Sequence, residues 1–176
     1  MKKYIIPFLF IACTFLASCG YNFAGSSPIN MPEDKRHLFI SQLINPTQEA
    51  WLEPYLRSNL RDEFTRRGQV NWVSLDQAEA LMQIEVIQFR TSDSQTGAKD
   101  RTVRSTVTLN MDVKIVSAST GEVIWSSGSV TGSSSFFLQN EDRSMPGAYG
   151  PGHRKAAQEA ADQAITRTAD RLGDAF

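Results

Sequence analysis

The sequence predicts an α+β fold. It is a two-layer sandwich in which a mostly antiparallel sheet of four to five strands carries two helices on one face, in the order β-α-β-β-β-β-α. Three patterns predict it. Between Arg101 and Ser117, Val103, Val107, Leu109, Met111, Val113 and Ile115 alternate with Arg104, Thr106, Thr108, Asn110, Asp112 and Lys114. That is the period of a strand with one buried face and one wet face. Leu52, Leu56, Leu60 and Phe64 recur every four residues, along one side of a helix. Ala157, Ala161, Ala164, Ile165, Thr168 and Leu172 form the narrow stripe of a second helix, whose small residues let it lie close to a sheet or to its neighbour.

The elements follow in order. His37–Ile44 mixes Leu38, Phe39, Ile40, Leu43 and Ile44 and reads as a strand buried on both faces, ended by Asn45-Pro46-Thr47. The first helix spans about Gln48–Arg67. Pro54 disturbs early hydrogen bonds and argues for a later start, and Gly68 stands where a C-terminal cap belongs. Gln69–Ser74 is a short strand with Val70 and Trp72 on one face. Leu81–Arg90 alternates Met82, Ile84 and Val86 against Gln83 and Glu85. Ser92–Asp100 is a polar loop. The long strand follows, then a turn at Ser119-Thr120-Gly121 and a partner strand over Glu122–Thr131. Gly132–Gly152 reads as a long loop and His153–Ala175 as the second helix.

The N-terminus sets the compartment. Lys2 and Lys3 precede an apolar run from Tyr4 to Leu16, too short to span a bilayer and proportioned like a signal peptide. Leu16-Ala17-Ser18-Cys19 resembles the bacterial lipobox, which implies a diacylglycerol on the Cys19 sulfur and cleavage before it. Residues 1–18 are then the signal peptide, 19–36 the lipidated N-terminus and tether, and 37–176 one sandwich domain. Losing Lys2 and Lys3 takes the net charge from −1 to −3, which argues against a general nucleic-acid binder. The other cysteine, Cys13, leaves with the signal, so the mature body holds no thiol for a disulfide or a metal, and stability must come from packing.

No catalytic constellation is present. The two histidines, His37 and His153, have no cysteine or further histidine near them in sequence, and no nucleophile-elbow, zincin or phosphate-loop spacing occurs. No catalytic residue, metal ligand or cofactor is assigned. Two features bear on binding. Arg90, Lys99, Arg101 and Arg104 gather at one hairpin end, with Arg90 and Arg101 facing each other across the loop. Four cations there either grip phosphates or form a solvated strand end balanced by Asp93 and Asp100. Phe136-Phe137 among serines either marks an interface or closes the core.

Cys19-Gly20-Tyr21-Asn22-Phe23 with Gly25, Leu60-Arg61-Asp62-Glu63-Phe64 with Arg66-Arg67-Gly68, Ala78-Glu79-Ala80, and Thr120-Gly121-Glu122-Val123-Ile124-Trp125 together resemble the lipopolysaccharide-assembly lipoproteins (LptE) of Gram-negative outer membranes. The Gly/Pro-rich segment before the second helix departs from that pattern. The resemblance implies a non-enzymatic, lipid-anchored protein at the outer membrane, facing the periplasm. Its implied partners are an outer-membrane β-barrel translocon, which it plugs, and lipopolysaccharide, whose lipid A phosphates would meet the four basic residues. Gly20, rather than Asp, after Cys19 is compatible with that address. The alternative is an outer-membrane lipoprotein that regulates a peptidoglycan synthase. The short tether argues against that reach: about 17 residues extend at most about 60 Å.

Overall fold

The structure is a computed structural model, and it describes residues 28–68, 70–95, 103–138 and 151–175. Six strands and two helices follow one another: β1 (His37–Ile44), α1 (Leu52–Arg67), β2 (Asn71–Trp72), β3 (Ala80–Gln95), β4 (Val103–Ser117), β5 (Val123–Ser126), β6 (Val130–Leu138) and α2 (Pro151–Gly173). Short 3-10 turns occupy Glu33–Lys35 and Leu75–Gln77.

The sheet runs β2-β1-β3-β4-β5, with β6 also on β4. β1 is parallel to β2 and β3, whereas β3-β4, β4-β5 and β4-β6 are antiparallel. The parallel β1–β3 pair needs a crossover, and α1 supplies it. Both helices cover one face, as expected. Leu52, Leu56, Leu60 and Phe64 of α1, Ala160, Ala161 and Ala164 of α2, and Met82, Ile84, Leu109, Met111, Val113 and Ile115 of the sheet share one core. The opposite face of β4, from Arg104 through Lys114, is half-buried or exposed.

The helix α1 starts at Leu52 rather than Gln48, which leaves Pro54 in the first turn, where its missing N–H costs nothing. Gly68 ends the helix in an extended conformation, not a left-handed one, so capping is not what requires glycine there. A Cβ at Gly68 would stand 2.4 Å from the Ile29 carbonyl oxygen. Ile29 forms a parallel bridge to Gly68 and its N–H donates to the Arg67 carbonyl at 3.3 Å. Ile29 and Met31 are both buried. This corrects the expected boundary, because the last part of the 19–36 tether is packed into the domain.

The partner strand expected over Glu122–Thr131 is broken into β5 and β6. Gly128, at φ 58°, makes the break, and the Ser127 hydroxyl accepts the Val113 N–H at 2.9 Å. The long loop expected from Gly132 to Gly152 is also corrected: Gly132–Leu138 is strand, paired with β4 from Leu109↔Gly132 to Val103↔Leu138. Residues 139–150 of that segment lie outside the described residues. Gly132 is needed for closeness, since a Cβ there would stand 1.9 Å from the Ala160 carbonyl oxygen. The alanine stripe and this glycine together bring α2 against β6.

α2 also covers the outer backbone of β6 and of the connection that leads into it. Arg171 donates to the carbonyls of Ser127 and Ser129, Arg167 to that of Thr131, and Gln163 accepts the Ser133 N–H at 3.3 Å. These three side chains, four residues apart, occupy groups that a foreign strand would otherwise pair with.

Candidate functional site

The proposed hairpin cluster is only partly described. Lys99 and Arg101 lie outside the described residues, as does Cys19. Arg90 stands opposite Thr108 on β4, not at the turn, and the ladder continues past it to Gln95↔Arg104. The expectation that Arg90 faces Arg101 across the loop is therefore corrected. Both Arg90 and Arg104 are exposed. Arg104, Thr106 and Thr108 alternate onto the open face of the sheet, and Arg90 joins them through its pairing with Thr108. Four residues of β4 separate that pair from Arg104, about 13 Å.

This face is lined by hydroxyls. Thr108 pairs Ser133 on β6, and Thr106 pairs Ser135, with 3.0 Å between the last two hydroxyl oxygens. Phe137 pairs Arg104 and is 64% exposed on the same face. Its neighbour Phe136 is only 7% exposed on the core side. The Phe136-Phe137 pair thus divides, one ring closing the core and the other standing in solvent, as the alternation of a strand requires.

Arg90 also lines an open groove of about 500 Å³. One wall is the β1–α1 loop, Pro46–Glu49, and the other is Ile87–Thr91 of β3, with His153 between them. The loop is fixed by its own sequence. The Asn45 side-chain oxygen accepts from the Thr47 N–H at 3.2 Å and its hydroxyl at 2.7 Å, and the Asn45 amide donates to the Glu49 carbonyl at 3.0 Å. On the facing wall a β-bulge between Val86 and Gln88 breaks the alternation, and Ile87 is exposed.

His153 is buried between two rings, with centroids 6.2 Å from Phe89 and 5.5 Å from Phe136, and its Nε2 lies 2.9 Å from the Thr91 hydroxyl. Burial pushes its pKa below the ordinary histidine value, with the nearby Glu49 carboxylate opposing. Glu49 accepts the Trp51 indole N–H, and the Arg154 guanidinium lies 3.9 Å over the Trp51 ring. The groove therefore presents a cation at Arg90, a tethered carboxylate at Glu49, a neutral imidazole and the apolar faces of Ile87 and Phe89. The sequence marked Asn45-Pro46-Thr47 as a turn, but nothing in it brought Glu49 and His153 together there, since the loop, the strand and the helix start are distant in the chain. Among the described residues no group of histidines, cysteines and acids is placed to hold a metal, and no helix is long and apolar enough to cross a membrane.

The sequence profile of the lipopolysaccharide-assembly family, LptE, matches residues 36–173. The chain belongs to the LptE family. The match spans the whole sandwich from β1 to α2, and it makes this a non-enzymatic member of a lipopolysaccharide-assembly family. Comparison with curated protein sequences gives no match. Among solved structures, a candidate lipoprotein from Caulobacter crescentus CB15 is similar at a TM-score of 0.55 and 16% identity, covering 80% of this chain and 90% of that one. The rare lipoprotein B of Shewanella oneidensis matches at a TM-score of 0.45 and 11% identity, covering 79% and 95%. The first of these shares the fold, and the family rests on the profile match alone.

Proposed function

We propose that this LptE-family chain is lipidated on Cys19, is held at the outer membrane facing the periplasm, and partners a β-barrel lipopolysaccharide translocon as its plug. The observation that carries the reading is the family match over residues 36–173. The geometry agrees with it. One face of the sheet is uncovered and polar, and it carries Arg90 and Arg104, so a folded body of this kind offers a hydrated surface to a hydrated lumen. In this reading Arg90, Lys99, Arg101 and Arg104 meet the phosphates of lipid A. Single exposed ion pairs contribute only about 0–1 kcal/mol. Several charge-assisted hydrogen bonds to one phosphorylated surface contribute more.

Two measurements test it. Lys99→Glu with Arg101→Glu reverses two of the charges. Binding of purified lipopolysaccharide is expected to weaken at least fivefold, and binding by the parent to fall with added salt. Association with the barrel is expected to survive the double change. Equal binding by parent and variant would remove the basic residues from the reading. Purification of the parent from detergent-solubilised membranes is expected to bring the barrel with it. If a peptidoglycan synthase co-purifies instead, the translocon reading fails.

A further inference from the structure

The helix α1 carries four arginines, and three are engaged by carboxylates. Arg57 meets Glu53 at 3.5 Å, and Arg66 and Arg67 each meet Glu63 at 2.6 Å. Arg61 differs. Among the described residues no carboxylate lies within ion-pair distance of it, and its guanidinium stands 5.5 Å from the centre of the Trp72 ring. Stacking on a ring leaves the in-plane N–H donors of a guanidinium available.

The surroundings are fixed. The Trp72 indole N–H donates to the Arg61 carbonyl at 3.2 Å and the Thr65 hydroxyl at 3.0 Å, and Phe64 lies behind it with ring centroids 6.4 Å apart. One turn earlier, Arg57 donates to the Ile40 carbonyl of β1 at 3.3 Å. Between the two arginines, Phe39, Ile40, Trp72 and Val73 enclose a cavity of about 70 Å³. It adjoins a groove of about 410 Å³ along α1, lined by Pro54, Ser58 and Thr65, with Asp62 also at its wall.

We propose that this place binds an acidic saccharide, with the sugar's carboxylate or phosphate between Arg57 and Arg61 and a C–H face of its ring against Trp72 and Phe39. Guanidinium groups match planar carboxylates and phosphates through paired N–H donors. Trp72 lines both the cavity and the groove and offers apolar surface beside them, and the small cavity has room for an anionic group rather than a whole ring. The site is separate from the groove at Arg90. Trp72 pairs Leu38, which pairs Ala80, ten residues before Arg90 and about 33 Å along β3. It stands independently of the translocon reading.

The test titrates the purified protein with D-glucuronate, glucose 6-phosphate, glucose and inorganic phosphate, following the Trp72 indole N–H resonance assigned with Trp72→Phe. At least one acidic sugar is expected to shift it saturably, and the tighter of the two identifies carboxylate or phosphate as the recognised group. Glucose and inorganic phosphate are expected to bind at least tenfold more weakly. Arg61→Gln is expected to weaken acidic-sugar binding at least fivefold. Arg66→Gln, an equal charge loss on the same helix outside the groove, is expected to leave it unchanged. No saturable shift with either acidic sugar overturns the proposal. So does equal binding by Arg61→Gln and the parent, or an equal loss in the two glutamine variants. Inorganic phosphate or glucose binding as tightly as the acidic sugars removes the saccharide recognition and overturns it as well.

Discussion

His153 ties the start of α2 to β3 by a hydrogen bond to Thr91 and a ring contact to Phe89, and to β6 by a ring contact to Phe136, and its burial favours the neutral form. The unfolded chain binds a proton near pH 6.5, before the folded one does. Stability from this group is therefore complete above about pH 6.5 and declines as pH falls from there toward the lower folded pKa. Chemical denaturation of the parent is expected to show that decline and His153→Gln to lack it. Glu79 behaves oppositely in its pKa cause but alike in sign. Hydrogen bonds from His37 hold its carboxyl below the usual value of 4.5, so its contribution is lost only on further acidification. Glycines give a second residue-level test. Gly132→Ala forces a Cβ onto α2 backbone and is expected to cost about 3 kcal/mol, as overpacking does. Gly121→Ala meets open space but sits at φ 73°, and should cost about 1 kcal/mol. The turn at Gly121 was readable from the chain, whereas the role of Gly132 was not, because glycine there serves a helix–strand contact that only the assembled fold creates. Arg67 stands in the last turn of α1, yet its side chain is 2% exposed and bridges Glu63 at 2.6 Å and, on α2, Asp170 at 2.5 Å.

The strands and helices with a clean period were legible. Val107, Leu109, Met111, Val113 and Ile115 of β4 are all buried, and Leu52, Leu56, Leu60 and Phe64 of α1 are fully so. Val113→Asp is expected to cost on the order of 4 kcal/mol or more, since it strands a carboxylate in the core. Thr108→Asp, one face away, should stay within about 0.5 kcal/mol by thermal melting. β6 was hidden for a physical reason. Its run of Ser133, Ser134 and Ser135 with Gly132 has weak intrinsic strand preference, and the pairing with β4 decides its conformation. The candidate site was half legible. Arg90 and Arg104 do share a face, but a register of pairing cannot be read from one strand, so the supposed meeting of Arg90 and Arg101 failed. The side chains of α2 laid along β6 make a further prediction. Arg167→Ala with Arg171→Ala uncovers the Thr131 carbonyl on the outer edge of β6 and the Ser127 and Ser129 carbonyls in the connection leading into it, and light scattering is expected to show self-association that the parent lacks.

At the scale of the molecule, the sandwich and the family were both readable, because the order of motifs along the chain survives where each alone is weak. The proposed anchor is tested by Cys19→Ala, which is expected to abolish acyl labelling and release the protein from the membrane fraction. Labelling that persists would refute the anchor. Ile29 and Met31 change what such an anchor does. Because Ile29 is clipped to Gly68 and buried, at most the nine residues from Gly20 to Pro28 are left to serve as a tether. Nine residues, fully stretched, measure about 30 Å, half of what the sequence suggested. A lipid at Cys19 would act as a short leash. The domain would stay within one body-width of the leaflet that holds it, able to pivot but not to patrol, and any partner would have to be met at that membrane's surface.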